Sequence, residues 1–263
     1  MKRADVIAKP FFDRSDFKPI HGFDGAAVIS CDAAPLRRVA FLEQTKRLGI
    51  DVAILPGYVW GWDDIISMGM LEDRISEELK VMYDKRPEFD NHLGHIGCGN
   101  SHIKIISEAK RLGLKSVIIF EDDAWFVDDW NEAVGAASKC LENVDWHMVY
   151  FGTCPMNPVV KFSDNISRMN GGSWALTAYA IHESFYDRIL SDGGNHEGPL
   201  DIFFMHDAYN PDHKYYIVNK CLNYQRHPEQ ENTSLIQPGL VQDWDAYFKL
   251  INEHYANVGL NLK

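Results

Sequence analysis

The sequence predicts an α/β domain with a mostly parallel sheet, and three observations carry that expectation. An apolar run at residues 26–31, a helical pattern over residues 35–48 and a second apolar run at residues 52–55 follow in close succession. Strand, helix, strand at that spacing is the signature of parallel strands joined by a crossover helix. A third apolar run, residues 116–120, stops abruptly at Glu121-Asp122-Asp123. The carboxyl end of such a strand is where open α/β sheets bind their ligands. With 263 residues, 46% of them hydrophobic and 24% charged, the chain can bury one large core. A disordered or fibrous chain is excluded.

The elements can be read in order. Residues 1–25, with Pro10, Pro19, Gly22 and Gly25, read as an irregular leader. Pro35 suits a first helical turn, Leu36, Val39, Leu42 and Thr45 share a face, and Gly49 closes the helix. Pro56-Gly57 stops the second strand. A charged helix is expected over residues 63–85, then a turn-rich link through Pro87. The segment Gly97-Cys98-Gly99-Asn100-Ser101-His102 opens a helix that runs to Leu112 and ends at Gly113. A helix over 130–141, a strand over 146–151 and an apolar stretch over 174–181 feeding a short helix complete the readable pattern. The last third is richer in His, Asn, Tyr and Pro, and its periodicity is weaker. The expected organisation is a leader (1–25), a single domain (26–235) and a C-terminal extension packed on it (236–263).

Lys and Arg number 26 against 38 Asp and Glu, a net charge of -12. That balance argues against a protein that coats nucleic acid or an anionic membrane. Lys104, Lys110, Arg111 and Lys115 form a modest basic cluster that reads as a solvated helix face. No apolar run is long enough to span a bilayer, and the first residues lack the apolar core of a signal peptide. Five scattered cysteines without a CxxC pair read as reduced thiols. A cytoplasmic location is the expectation.

The acidic triplet is the most informative feature. In an extended chain Glu121 and Asp123 point to one face and Asp122 to the other. Paired carboxylates suit a hard divalent cation, Mn²⁺ or Mg²⁺, which takes oxygen ligands and shares itself with phosphates. A solvated turn is the alternative, since Asp128 and Asp129 lie close by. The glycines at 97 and 99 fit either a helix N-terminus that cradles an anion or a plain helix start capped by Asn100 or Ser101. His102 fits a ligand contact or an ordinary helix histidine.

Together these segments resemble glycosyltransferase family 25, which includes bacterial lipooligosaccharide and procollagen galactosyltransferases. The resemblance rests on Gly97-Cys98-x-x-Ser101-His102, followed after eighteen residues by Glu121-Asp122-Asp123. It extends to Ile29-Ser30, Arg37-Arg38 and Leu48-Gly49-Ile50, then to residues 146–152, Tyr179-Ala180-Ile181 and Pro199-Leu200-Asp201. Cys31-Asp32 departs from the family pattern, and the C-terminal third matches it less.

The resemblance implies a GT-A fold, a nucleoside-diphosphate-sugar donor and a divalent metal held through a DxD-like motif. Asp123 is then the metal ligand, with Glu121 reaching the metal through water or binding the donor ribose, and Asp122 supporting the turn or the sugar. Tyr224-Gln225-Arg226-His227 is the implied source of a further ligand, His227, with His196, His206 and His213 as competitors. Ile29 and Ser30 are placed at the base and ribose, Arg37 or Arg38 near a phosphate, and Ser101 and His102 on the donor side. For either arginine a solvated helix face is the alternative. The family is generally inverting, which calls for a carboxylate base. Asp201 takes that part, with Glu197 and Asp207 as rivals.

The leading expectation is therefore metal-dependent transfer of a hexose, galactose or glucose, from a UDP-sugar to an acceptor hydroxyl. The acceptor stays open among a glycan, a protein hydroxyl or a base in nucleic acid, the last not favoured. The other readings are a metal-dependent nucleotidyltransferase or phosphohydrolase, and a non-catalytic module that binds sugar nucleotides.

Overall fold

A computed structural model describes residues 7–59, 91–193 and 200–225, with Lys249, Glu253, residues 255–258 and Leu260 near the C-terminus. The helix expected over residues 63–85 lies outside the described residues.

In chain order the strands are β1 (Ala26–Ser30), β2 (Ala53–Pro56), β3 (Ser116–Glu121), β4 (Ala124–Phe126), β5 (Met148–Pro155), β6 (Val160–Lys161), β7 (Ile166–Arg168), β8 (Ser173–His182), β9 (Tyr215–Val218) and β10 (Asn223–Gln225). One sheet has the order β2-β1-β3-β8-β5-β9-β7-β6, and β4 pairs separately with β10. β1 is parallel to β2 and β3, and β5 to β9. β8 and β7 run against both of their neighbours. All the other strands of the large sheet therefore point one way, and the mostly parallel α/β expectation holds.

Helices cover both faces. They are α1 (Pro35–Leu48), α2 (Asn91–Arg111), α3 (Trp130–Leu141), α4 (Tyr186–Ser191) and α5 (Leu200–Asp207). Alternation along the strands sends Ala27, Ile29, Val117 and Ile119 into one layer with Ile103 and Ile106 of α2, Ile189 and Phe204. Val28, Ile118 and Phe120 go to the opposite layer with Phe41 of α1 and Trp130 and Val134 of α3. Gly49 ends α1 at φ 66, a left-handed conformation that costs glycine little.

Three expectations change. First, α2 begins at Asn91, so Gly97 and Gly99 lie inside a helix and not at its free N-terminus. Their N–H groups belong to the helical ladder, and the anion-cradle reading fails. Second, the part of the last third that is described contains α5, β9 and β10, with β9 inserted beside β5. Third, Lys104 is not on a solvated face but is buried against residues 7–12 of the leader.

Phe12, Phe17 and Phe23 are buried. Lys104 donates to the Ile7 carbonyl at 2.8 Å, to the Lys9 carbonyl and to Glu108 at 2.7 Å. Glu108 in turn accepts the Phe11 and Phe12 N–H groups at 3.1 and 3.0 Å, while Arg111 reaches Glu108 at 2.6 Å. Lys104 and Glu108 are each 1% exposed, so neither charge can be left alone without a large desolvation cost.

All five cysteines are free thiols. No described helix is long and apolar enough to cross a membrane.

Burial alone would raise the Glu108 carboxyl, but hydrogen bonds from Arg111, Lys104 and the leader backbone hold it down to about 2, below the ordinary 4.5. Its contribution is thus complete above pH 4.5 and is lost as the pH falls toward 2. Glu108→Gln strands the Lys104 charge and is expected to cost about 3–5 kcal/mol at pH 7. Urea unfolding of both proteins from pH 7 to pH 2 checks this: the gap in stability should start to narrow below pH 4.5 and close as the pH reaches about 2.

Candidate functional site

Glu121 is the last residue of β3, and Asp122 continues the pairing by donating its N–H to the Ile29 carbonyl at 3.1 Å. β4 starts directly afterwards at Ala124 and pairs with Gln225 of β10. The triplet therefore stands at the carboxyl edge of the sheet, between β1, the start of α1 and the C-terminal region. Asp122 and Asp123 are buried, 6% and 7% exposed.

The fold gives the three acids different partners. One terminal nitrogen of Arg37 lies 2.5 Å from Asp122 Oδ1 and 3.0 Å from Asp123 Oδ2. Gln225 Nε2 approaches Asp123 Oδ2 at 3.4 Å. Glu121 Oε1 instead faces His102 Nε2 at 3.3 Å and the Cys98 thiol at 3.4 Å, and His102 Nδ1 meets the Tyr179 hydroxyl at 2.7 Å. With Glu121 ionised, this arrangement assigns the ring proton to Nε2, and Nδ1 accepts from Tyr179.

These environments separate the carboxyls. Burial pushes Asp122 up to about 6 against the pull of Arg37, and the Asp123 charge adds to the rise. Burial would also raise Glu121, yet the hydrogen bonds from His102 and Cys98 and the Arg37 charge hold it below its ordinary value. The Cys98 thiol is pushed well up by burial and by Glu121, so it serves as a donor and not as a nucleophile.

Among the other expected residues, Ile29 packs in the core and Ser30 is 1% exposed. Ser30 is engaged by Arg38, whose Nε reaches Ser30 Oγ at 2.8 Å and whose terminal nitrogen reaches the Ser30 carbonyl at 2.9 Å and Asp32 at 2.6 Å. Ser101 is buried, donates to the Gly97 carbonyl at 2.8 Å and accepts the Tyr58 N–H at 2.9 Å. A Cβ at Gly97 would collide with the Tyr58 carbonyl. The Gly97–Ser101 face of α2 is therefore a seat for the segment after β2. Ser101 and His102 are both fully buried, so their bearing on a ligand passes through Tyr58 and Glu121. His227, His196 and Glu197 lie outside the described residues.

Asp201 and its rival Asp207 differ clearly. Asp207 accepts from Arg188 at 3.1 Å, His213 at 2.7 Å and the Tyr215 hydroxyl at 2.7 Å, which also commits His213. Asp201 accepts backbone bonds from Ile202 at 2.9 Å and Ala175 at 3.4 Å. Burial raises its carboxyl against the pull of the Ala175 and Ile202 N–H groups and of His95, and the Glu121 charge adds to the rise. Ala175 holds φ 71, a strained conformation worth about 1–3 kcal/mol. Thr153 Oγ1 steadies it by bonding the Trp174 and Ala175 carbonyls at 2.6 and 3.1 Å. Trp174 beside it is 43% exposed.

Tyr179, Gln225, Thr153 and Ala175 were not among the site residues expected from sequence. Two of them had a signal: Tyr179 as a polar-tipped ring on the apolar 174–181 stretch, and Gln225 as a member of the Tyr224–His227 segment. A cavity of about 520 Å³ lined by Asn131, Glu132, Gly135, Lys139 and Asn165 includes neither the acidic triplet nor Asp201.

As a donor set, Asp122 and Asp123 fit a hard cation. They are buried carboxylates carrying more negative charge than Arg37 cancels, and among the described residues Asp122 Oδ2 has no hydrogen-bond partner.

This fold and edge define an α/β protein whose sheet carries a buried acid cluster at its carboxyl edge, where open α/β sheets generally bind ligands. The chain belongs to glycosyltransferase family 25: the sequence model described as "Glycosyltransferase family 25 (LPS biosynthesis protein)" matches residues 24–184. It is 28% identical over 238 residues to a Mus musculus protein named "Inactive glycosyltransferase 25 family member 3", covering 86% of this chain and 36% of the relative. It is 27% identical over 266 residues to the Rattus norvegicus "Probable inactive glycosyltransferase 25 family member 3", covering 95% of this chain and 42% of that one. The chain thus spans less than half the length of these relatives. Among solved structures, "The Crystal Structure of UDP-glucose pyrophosphorylase complexed with UDP-glucose" aligns with TM-score 0.43 and 8% identity over 88% of this chain and 98% of the other.

The raised Asp122 carboxyl has a consequence for stability. Its folded value of about 6 lies above the ordinary 3.8, so ionisation costs stability as the pH rises through that window. In EDTA, Asp122→Asn is expected to raise the melting temperature at pH 7 by about 2–4 °C. The gain should vanish near pH 4, which scanning calorimetry at the two pH values checks.

Proposed function

We propose that the chain is a metal-dependent hexosyltransferase that takes galactose or glucose from a UDP-sugar and transfers it to an acceptor hydroxyl with inversion. The observation that carries the reading is Asp201. Its carboxyl is buried beside the strained Ala175, whose N–H it accepts, and burial raises it although His95 pulls it down, while Asp207 is consumed by three donors.

In this reading the acceptor hydroxyl gives its proton to Asp201 as its oxygen bonds to the anomeric carbon. The bond from that carbon to the diphosphate oxygen breaks, and UDP departs with the electron pair. A carboxyl raised by burial is a stronger base near neutral pH than an exposed aspartate. Asp122 and Asp123 would hold Mn²⁺ or Mg²⁺, with Glu121 beside them and His227 as the proposed further ligand. Bound there, the cation supplies charge neutralisation for the diphosphate. The His102–Tyr179 pair keeps Glu121 in one orientation.

A second reading, a sugar-nucleotide-binding module without turnover, is favoured by one observation: the mouse and rat relatives carry the word inactive in their names. The two readings part on turnover, not on binding.

Thermal shift with UDP, GDP or CMP in Mn²⁺ or EDTA, followed by a transfer and donor-hydrolysis assay, tests both. The expected result is stabilisation by UDP only with metal, accompanied by turnover. Asp201→Asn should keep that stabilisation and lose about 10³-fold in rate. Near-normal turnover in Asp201→Asn removes it as the base. UDP binding with no turnover in the wild type supports the second reading.

A further inference from the structure

Adjacent arginines on α1 are held in opposite ways. Arg38 uses its fork: Nε and a terminal nitrogen both bond Ser30, and that nitrogen also bonds Asp32. Such a multidentate grip is specific and durable. Arg37 presents a single terminal nitrogen to two carboxylates, at 2.5 and 3.0 Å. Among the described residues its buried Nε has no hydrogen-bond partner, and neither does Asp122 Oδ2 on the Asp122 side chain, which is 4% exposed. The guanidinium is acting as a point charge between two oxygen ligands, the part a metal ion plays.

Two further features make this grip replaceable. Arg37 lies in the first turn of α1, a helix of 14 residues, where the helix dipole disfavours a cation. Its side chain is also 17% exposed, which leaves it a route to solvent. The charge balance points the same way: two ionised carboxylates against one guanidinium leave a net negative charge, and a divalent cation would cancel it.

We propose that Arg37 is an exchangeable counter-ion. It closes the acid pair in the nucleotide-free protein, yields that place to a divalent cation, and turns to the diphosphate of the incoming nucleotide. Cation and nucleotide then load together, because the arginine leaves the acids most readily when a phosphate receives it. The inference rests on the reading that this edge takes a metal and a nucleoside diphosphate, and it adds an order of assembly to that reading. Arg38 takes no part, and the phosphate contact left open between the two arginines falls to Arg37.

The test is Mn²⁺ binding, measured by calorimetry on the wild type and on Arg37→Met, each with and without UDP. Without nucleotide, Arg37→Met is expected to bind Mn²⁺ about tenfold more tightly than the wild type, since a positive charge within contact distance is gone. UDP should tighten Mn²⁺ binding to the wild type and do so far less in the variant. Equal or weaker Mn²⁺ binding by folded Arg37→Met overturns the exchange while leaving the metal reading standing. No Mn²⁺ uptake by the wild type even with UDP overturns both. Should Arg37→Met fail to fold, the wild type carries the test by NMR. Mg²⁺ with UDP must move the Arg37 Nε–H signal, and an unmoved signal on saturation refutes the proposal.

Discussion

A single guanidinium nitrogen wedged between Asp122 and Asp123 makes the whole sheet edge possible. Three consecutive acids at the end of a buried strand would repel one another and resist burial. The chain meets that constraint with separate partners, Arg37 for two of the acids and His102 with Cys98 for the third. Even so the compensation is incomplete, as the raised Asp122 carboxyl records. Residual negative charge on buried carboxylates is what a divalent cation can exploit. The net charge of -12 therefore says little about what this site attracts.

The partners of the triplet are in turn fixed from a distance. α2 carries Cys98 and His102 toward β3, and it also carries Lys104, Glu108 and Arg111, which grip the leader. A buried ion pair is weak evidence for stability but can specify a position. Here it ties residues 7–12 to the same helix that orients Glu121. On the far side, Thr153 and the strained Ala175 hold the start of β8 against Asp201. Strain of that kind survives only where the surroundings over-determine it, and it gathers at functional sites.

What sequence reasoning could see was local. The first βαβ unit was legible because α1 announces itself with Pro35 and Gly49, and β1 and β2 are apolar runs bounded by turn residues. The acidic triplet was legible because an abrupt change from apolar to acidic marks a strand end. Arg37 and Arg38 could not be told apart, since successive helix positions look alike until Ser30 and Asp122 are placed around them. Asp201 and Asp207 sit on one short helix, and only Arg188, His213 and Tyr215 from other elements show which is consumed. Gly97 was misread because a glycine before polar residues fits a helix start as well as a close approach. The leader's clasp runs largely through backbone carbonyls and N–H groups, which leave no trace in side-chain patterns.

The names of the mouse and rat relatives make loss of turnover a live outcome in this family, yet the acid triplet, its partners and Asp201 are all present here. The most direct measurement is a structure determined with Mn²⁺ and UDP. The account predicts a cation between Asp122 and Asp123, the diphosphate at the mouth of α1, and Arg37 moved from the carboxylates onto a phosphate. A nucleotide bound elsewhere, or the acids still closed on Arg37 with UDP in place, would contradict it.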